Sequence, residues 1–505
     1  MLSIFDHGSP PPCPAPFNLA AHVLGRASEL GAKTALSVLV RGDLQHWSYA
    51  ALEAAVRGTG SGLLGAGITP GEIVLLRLGN TVDFPIAYLG AIAAGIVPVP
   101  TSSQLTETEV AAMVAELSPA AVLRAPDVAS APHPREIDLD ALRAMRSLPP
   151  CAYAMGDPDR MAYAVYTSGT SGKPRAVAHA HRAIWARRMM FDGWYGIGED
   201  DRLLHAGAFN WTFTLGTGLM DPWTVGATAL IPEPGTDPAD LPRLLKAHGA
   251  TLFAAAPGVY RKLLQHNPKL DLPDLRHGLC AGEKLSPSLH KAWQAATDKG
   301  LFEAYGMSEC STFISSSPAR PARGEALGQP QDGRRVAILG PDGPVAQGDE
   351  GIIAIHRSDP GLMLGYLGDP AETEARMQGD WFLTGDSGAM AADGQITYLG
   401  RADDMMNAGG YRVSPVEVEA ALSTHPGITQ VGAAEVEVKA DTRVIAAFYT
   451  GPAPLDEAEL RAWAAERLAR YKQPRAYIYL PSLPSGANGK LLRRALPAYF
   501  EKVAS

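Results

Sequence analysis

The sequence predicts a multidomain α/β protein: a large N-terminal domain of layered sheets and helices, followed by a smaller α+β domain. Three observations predict it. The chain has 505 residues, more than one ordinary hydrophobic core organises. Helix-like and strand-like segments alternate through most of its length, the pattern of largely parallel sheet covered by helices. From about residue 325 the texture changes to short strands separated by turn residues, and after residue 402 to a compact module of about a hundred residues.

The elements follow in order. FNLAAHVLGRASEL (17–30) has apolar residues at helical spacing, and PGEIVLLRLGN reads as a turn entering a strand. ADLPRLLKAHG is helical, TLFAAAP a strand, LRHGLCAG a second strand, and SPSLHKAWQAA the helix that follows. RRVAILG and GIIAIHR are strands among the turn signals PDG, GDEG and ADG, which define a β-rich subdomain over about 325–400. YLGRADDMMNAGGYRVSPVEVEAAL (398–422) is the expected hinge, dividing an N-terminal domain (1–402) from a mobile C-terminal lid (403–505) that holds SPVEVEAALSTH, RVIAAFYT and DEAELRAWAAERLAR.

Composition narrows the function. Hydrophobic residues make up 46% and charged residues 19%, and the net charge is -9, so there is no basic excess for general nucleic-acid binding. Cys13, Cys151, Cys280 and Cys310 are scattered, with no CxxC pair, which suggests neither a zinc site nor a disulfide framework. The first residues carry Asp6 and a proline cluster and do not resemble a signal peptide; FPIAYLGAIAAGIVPVP (84–100) is too short and too proline-broken to span a bilayer. A reduced, cytoplasmic enzyme is expected.

YTSGTSGKPRAV (166–177) packs Gly, Ser and Thr around one Lys. It is no Walker A loop, because Gly169 and Gly172 are too close and Pro174 follows Lys173. Its composition still suits phosphate, and on these features alone a ligand-free surface loop competes evenly. Other stretches decide. CAGEKLS (280–286), AYGMSEC (304–310), WFLTGDSG (381–388), GRADDMMNAGGYRVSPVEVE (400–419), YKQPR (471–475) and PSGANGKLLRRAL (484–496) follow in the order found in the adenylate-forming superfamily, which the whole chain resembles. The acyl- and aryl-CoA ligase branch, and within it the benzoate-type CoA ligases, is most similar, through LGTGLMDPWTVGATALIP and CAGEKLSPSL.

The resemblance implies ATP, Mg²⁺ and coenzyme A. A carboxylate attacks the α-phosphate, pyrophosphate leaves, and a thiol then takes the acyl group from the acyl-adenylate. It implies that Thr167, Ser168, Gly169, Thr170, Gly172 and Lys173 cradle the β- and γ-phosphates, that Ser308 contacts the α-phosphate, and that Glu309 holds Mg²⁺. Tyr305, Gly282 and Glu283 line the adenine pocket; Asp386 takes the ribose hydroxyls with Arg401 assisting; Lys490 is the catalytic cation of the first half-reaction. Asp403 is the hinge about which the C-terminal domain rotates, and Gly409 and Gly410 border the CoA channel.

Phe209, Asn210 and Trp211, with Ala281 and Gly306, are expected at the acyl pocket. Neutral Asn210 stands where amino-acid-activating relatives carry an aspartate, which argues against a buried α-ammonium. The aromatic residues fit a flat or compact apolar acid, although Phe209 and Trp211 read almost equally well as core. Partners expected are a small carboxylic acid, ATP and CoA, without nucleic acid or a membrane span; a homodimer is compatible with the sequence. Two other readings stand beside this one: a stand-alone adenylation enzyme that loads a carrier protein, and a non-catalytic nucleotide-binding protein of the same fold. Intact Lys490, Glu309 and Asp386 speak against the latter.

Overall fold

The computed structural model describes residues 1–40, 43–167, 174–408, 411–439, 442–486 and 490–504. Its spine is a 16-stranded sheet whose middle is parallel: Arg202–His205, Thr228–Pro232, Leu252–Ala255, His277–Ala281 and Gly300–Met307 pair side by side. HGLCA and LFAA are buried at every position, as expected for strands covered on both faces. The helices Pro257–His266 and Pro287–Thr297 supply part of that cover, packing Tyr260 and Trp293 against Phe253. Ser286 caps the second of them by accepting from the Leu289 amide, so the chain leaves the sheet at Ala281 and re-enters a helix within six residues.

The β-rich segment is not a separate sheet. Ile314 pairs with Pro330 and Gly328 with Ile396, so its strands continue the spine without a break. The N-terminal strand Ile4–Asp6 adds to the far edge, antiparallel to Arg335–Gly340. The expected helix over 17–30 is two short ones, Leu19–Val23 and Ala27–Leu30. Asn18 fastens the first by bonding the carbonyls of Ile92 and Ala154, and Arg26 turns outward to Glu199 between them.

A four-stranded sheet carries Ile73–Arg77 at its centre, with the buried helix Asp83–Ala93 alongside. A three-stranded sheet contains Met161–Thr167 and Arg175–Ala180, the two strands that flank the Gly/Ser-rich loop. The smaller C-terminal domain is built on Gln430–Lys439, Thr442–Thr450 and Ala476–Tyr479, packed by Pro415–Leu422 and Glu457–Ala465. Among the described residues no helix is long and apolar enough to cross a membrane.

Candidate active site

The site forms where strands of the spine end and the C-terminal domain approaches. Gly300–Met307 runs into the segment Ser308–Cys310 and returns as Ser311–Ser315. The hairpin is so tight that a Cβ on Gly306 would lie 2.1 Å from the Ser311 carbonyl oxygen, so only glycine fits there. Ser311 itself has φ +62°, an uncommon left-handed conformation for a side-chain-bearing residue.

Buried groups hold this segment from several directions. His179 Nε2 donates to the Ser308 carbonyl at 2.7 Å, and the Met363 amide donates to the Glu309 carbonyl at 2.8 Å. Tyr366 gives its hydroxyl proton to Glu309 Oε1 at 2.8 Å. Arg187 donates to the Ser311 hydroxyl and pairs with Asp221 at 2.6 Å, where Tyr195 also donates to the same carboxylate at 2.7 Å. Asp221 comes from the end of the π-helical turn Thr214–Met220, which also brings Thr217 to Arg187. Glu309 is thus buried with one oxygen committed to Tyr366 and the other without a described partner. That arrangement suits a hard cation shared with phosphate oxygens, and no cluster of three acidic, His or Cys ligands exists among the described residues.

A second group of residues meets around Asp386. Tyr305 donates to Asp386 Oδ2 at 2.5 Å, and Arg401 Nη1 bonds Asp386 Oδ1 at 3.1 Å. Asp386 and Arg401 face each other across paired strands, which is why the TGD and GRA stretches converge. Burial raises the Asp386 carboxyl above the ordinary carboxylate range, opposed by Arg401, Tyr305 and Lys490. Glu283 is also raised by burial, opposed by Arg261, Lys490 and Arg493. The Lys490 ammonium therefore acts on two carboxylates of the large domain that lie more than a hundred residues earlier in the chain. The Gly486 amide donates to the Lys490 carbonyl at 2.8 Å, and Lys490 is exposed.

The acyl-side residues divide. Gly282 has φ +96°, and a Cβ there would sit 2.7 Å from Trp211, so the indole lies directly over that backbone. Trp211 packs edge-on to Phe213 with centroids 5.0 Å apart and stays partly exposed, while Ala281 is buried at its strand end. Phe209 takes the core alternative of the two readings its sequence left open. It is 1% exposed in the main core, 6.0 Å from Phe84, because its amide bonds Asn80 and turns the side chain inward. Asn210 is half-buried beside it.

Thr167 ends its strand opposite Arg175, which is tied to Glu372 at 3.0 Å. Ser168, Gly169, Thr170, Gly172, Lys173, Gly409 and Gly410 lie outside the described residues. Asp403 pairs with Arg401 at 3.4 Å and with Arg494 from the C-terminal segment. Reading the sequence missed His179, Arg187, Asp221 and Tyr366. Their signal is faint: polar or charged residues inside otherwise apolar runs such as AVAHA and LMDPW.

Comparisons with known proteins identify the family. The AMP-binding enzyme family matches residues 25–367, and the C-terminal domain of AMP-binding enzymes matches residues 417–490. The chain is 29% identical to the benzoate–CoA ligase of Thauera aromatica, covering 97% of this chain and 98% of that protein. It is 28% identical to the 3-hydroxybenzoate–CoA ligase of Aromatoleum sp. (strain CIB), over 89% and 91%. The crystal structure of a benzoate CoA ligase from Burkholderia xenovorans LB400 matches with a TM-score of 0.85 at 26% identity, covering 95% of this chain and 100% of that one. That of the anthranilate CoA ligase AuaEII with anthranoyl-AMP has a TM-score of 0.88 at 24% identity, covering 96% and 98%.

Proposed function

Because the chain belongs to the AMP-binding enzyme family, we infer that it is an AMP-forming ligase joining a compact aryl carboxylic acid to coenzyme A. Its substrates are the acid, ATP and CoA. The observation that carries the reading is the Tyr305–Asp386–Arg401 cluster together with Glu283, two carboxylates whose charge Lys490, from the C-terminal part of the chain, helps to offset. Free CoA rather than a carrier protein is the acceptor, as in the CoA ligases to which nearly the whole chain is similar.

In the first step a carboxylate oxygen bonds to the α-phosphorus and the bond to pyrophosphate breaks. Two anions meet, so the site must neutralise charge and hold the attack in line. Lys490 supplies a cation at the ribose and α-phosphate region, and Ser308 presents its hydroxyl from a segment pinned by His179. Asp386 keeps lone pairs for the ribose hydroxyls after serving Tyr305 and Arg401. Glu309 would hold Mg²⁺, which supplies charge neutralisation to the triphosphate when bound. In the second step the CoA sulfur bonds to the acyl carbon, the acyl–phosphate bond breaks, and AMP leaves.

Lys490 and a thiol cannot both occupy the approach to the acyl carbon, which is the reason for a mobile lid. Asp403 is the hinge, with 1–402 on one side and 403–505 on the other. A cytoplasmic setting suits four unpaired cysteines. The test is a panel of carboxylic acids with ATP, Mg²⁺ and CoA, scored by mass for AMP and acyl-CoA. Thioester from benzoate-sized acids is expected. Thioester from long aliphatic acids alone would refute the aryl assignment, and acyl transfer only to a carrier would refute CoA as acceptor.

A further inference from the structure

Glu303 is a buried carboxylate to which the reaction steps above give no task. It is 6% exposed and lies on the strand Gly300–Met307, two residues before Tyr305 and opposite Cys280 of the neighbouring strand. A carboxylate in such a place is costly unless charge and hydrogen bonds answer it. Both answers come from one short turn. Lys284 Nζ donates to Glu303 Oε2 at 2.9 Å, and the Leu285 amide donates to Oε1 at 2.7 Å. Burial raises the Glu303 carboxyl, opposed first by Lys284 and then by the Leu285 amide.

The turn leaves the strand His277–Ala281 and ends at Ser286, the cap of the helix Pro287–Thr297. It contains Gly282 and Glu283, read above as lining the adenine pocket. Its ends have little slack. Gly282 has φ +96° and a Cβ there would lie 2.7 Å from Trp211, while Ser286 accepts from the Leu289 amide at 3.2 Å. Between these fixed ends the two carboxylate oxygens of Glu303 grip the turn, one through its backbone and one through a side chain. Glu303 is itself held in place: its amide donates to the Ser316 hydroxyl at 3.1 Å, and its carbonyl accepts from the Ser316 amide at 3.0 Å.

We propose that Glu303 is a positioning residue for the nucleotide: it holds the turn 282–285 through Lys284 and the Leu285 amide, and thereby sets Gly282 and Glu283 against the base. The inference rests on the AMP-forming reading and on this turn as a wall of the adenine pocket. Glu303 touches no reacting atom. The base is held alike before and during the reaction, so the effect of Glu303 falls on nucleotide affinity rather than on kcat.

The test compares the wild-type protein with Glu303→Gln, Lys284→Met and the double variant, by acid-dependent pyrophosphate exchange and by direct titration with AMP. Glutamine keeps the shape and one acceptor for the Leu285 amide, but its N–H groups oppose the Lys284 ammonium, donor against donor. In Glu303→Gln the Kd for AMP and the KM for ATP should rise about 5-fold to 30-fold, with kcat within about threefold of wild type. The KM for pyrophosphate, which carries no base, should not move. Lys284→Met changes a side chain 20% exposed and carries the same test should Glu303→Gln fold poorly. It should give the same pattern, and the double variant should bind AMP no more than about twofold more weakly than Glu303→Gln, because both residues act through one contact. An unchanged Kd for AMP in the single variants would overturn the proposal. So would a KM for pyrophosphate that rises with that for ATP, or additive losses in the double variant. Wild-type protein that binds neither ATP nor AMP would refute the AMP-forming reading itself, an outcome separate from these.

Discussion

Replacing Asp386 by Asn perturbs the proposed ribose site without changing its shape. The carboxylate has about four lone-pair positions, of which Tyr305 uses one on Oδ2 and Arg401 one on Oδ1, at 2.5 and 3.1 Å. Two remain for a pair of ribose hydroxyls. An amide keeps one oxygen and turns the other position into a donor, which must then face either the Tyr305 hydroxyl, now obliged to accept, or the Arg401 guanidinium, a pure donor. One ribose acceptor is lost and the survivor is no longer charged. A hydrogen bond to a charged group contributes about 1.5–3 kcal/mol, so the loss in nucleotide binding is about 2–4 kcal/mol, on the order of 30-fold to 1,000-fold. Asp386 touches no reacting atom in this account, so the change falls on KM for ATP more than on kcat. The assay is acid-dependent pyrophosphate release at varied ATP, with direct titration of AMP as a second readout. An unchanged KM for ATP with a collapsed kcat would refute the ribose assignment.

Lys490→Ala should slow adenylation by about 10²–10³-fold, the cost of removing one preorganised charge partner, and leave thioester formation from supplied acyl-adenylate far less affected; equal loss in both steps contradicts the role. Asp221→Ala strands a buried guanidinium, and a loss of about 3–5 kcal/mol should show as a lower urea midpoint; an unmoved midpoint contradicts the pinning described for Arg187. Stability should also fall as pH drops from 6.5 toward 4. Burial holds His22, His179 and His277 at about 4 and His181 and His205 at about 3, so below 6.5 the unfolded chain binds protons that the native state refuses, each histidine contributing up to about 1.4 kcal/mol per pH unit. The raised carboxyls of Asp386, Glu283 and Glu303 act in the opposite sense but are fewer; urea midpoints that hold or rise between pH 6.5 and 5 would contradict this.

What could be read from the chain was local. ADLPRLLKAHG, TLFAAAP, LRHGLCAG and SPSLHKAWQAA became the expected helices and strands because their periodicity is decided within each segment and both strands are buried throughout. What escaped depends on distant partners. Ile4–Asp6 is a strand only because Arg335–Gly340 offers it an edge, and the helix over 17–30 begins at Asn18 and breaks at Arg26, each of which finds partners far along the chain. At the site, Tyr305, Glu309, Asp386 and Lys490 stood out through their motifs, whereas the groups that hold them did not. His179, Arg187 and Tyr366 act through residues 129, 124 and 57 positions away, a relation that no local pattern encodes. Phe209 could be read from the sequence as pocket or as core, and its side chain lies in the core while its amide bonds Asn80, a partner 129 residues away.

The central claim is that this site joins a carboxylate to the α-phosphate of ATP before any thiol arrives. Exchange of labelled pyrophosphate into ATP, with a benzoate-sized acid and Mg²⁺ present and CoA omitted, tests it most directly. Exchange that depends on the acid and disappears in Lys490→Ala is the predicted result. No exchange with any acid, from protein that binds ATP, would contradict it.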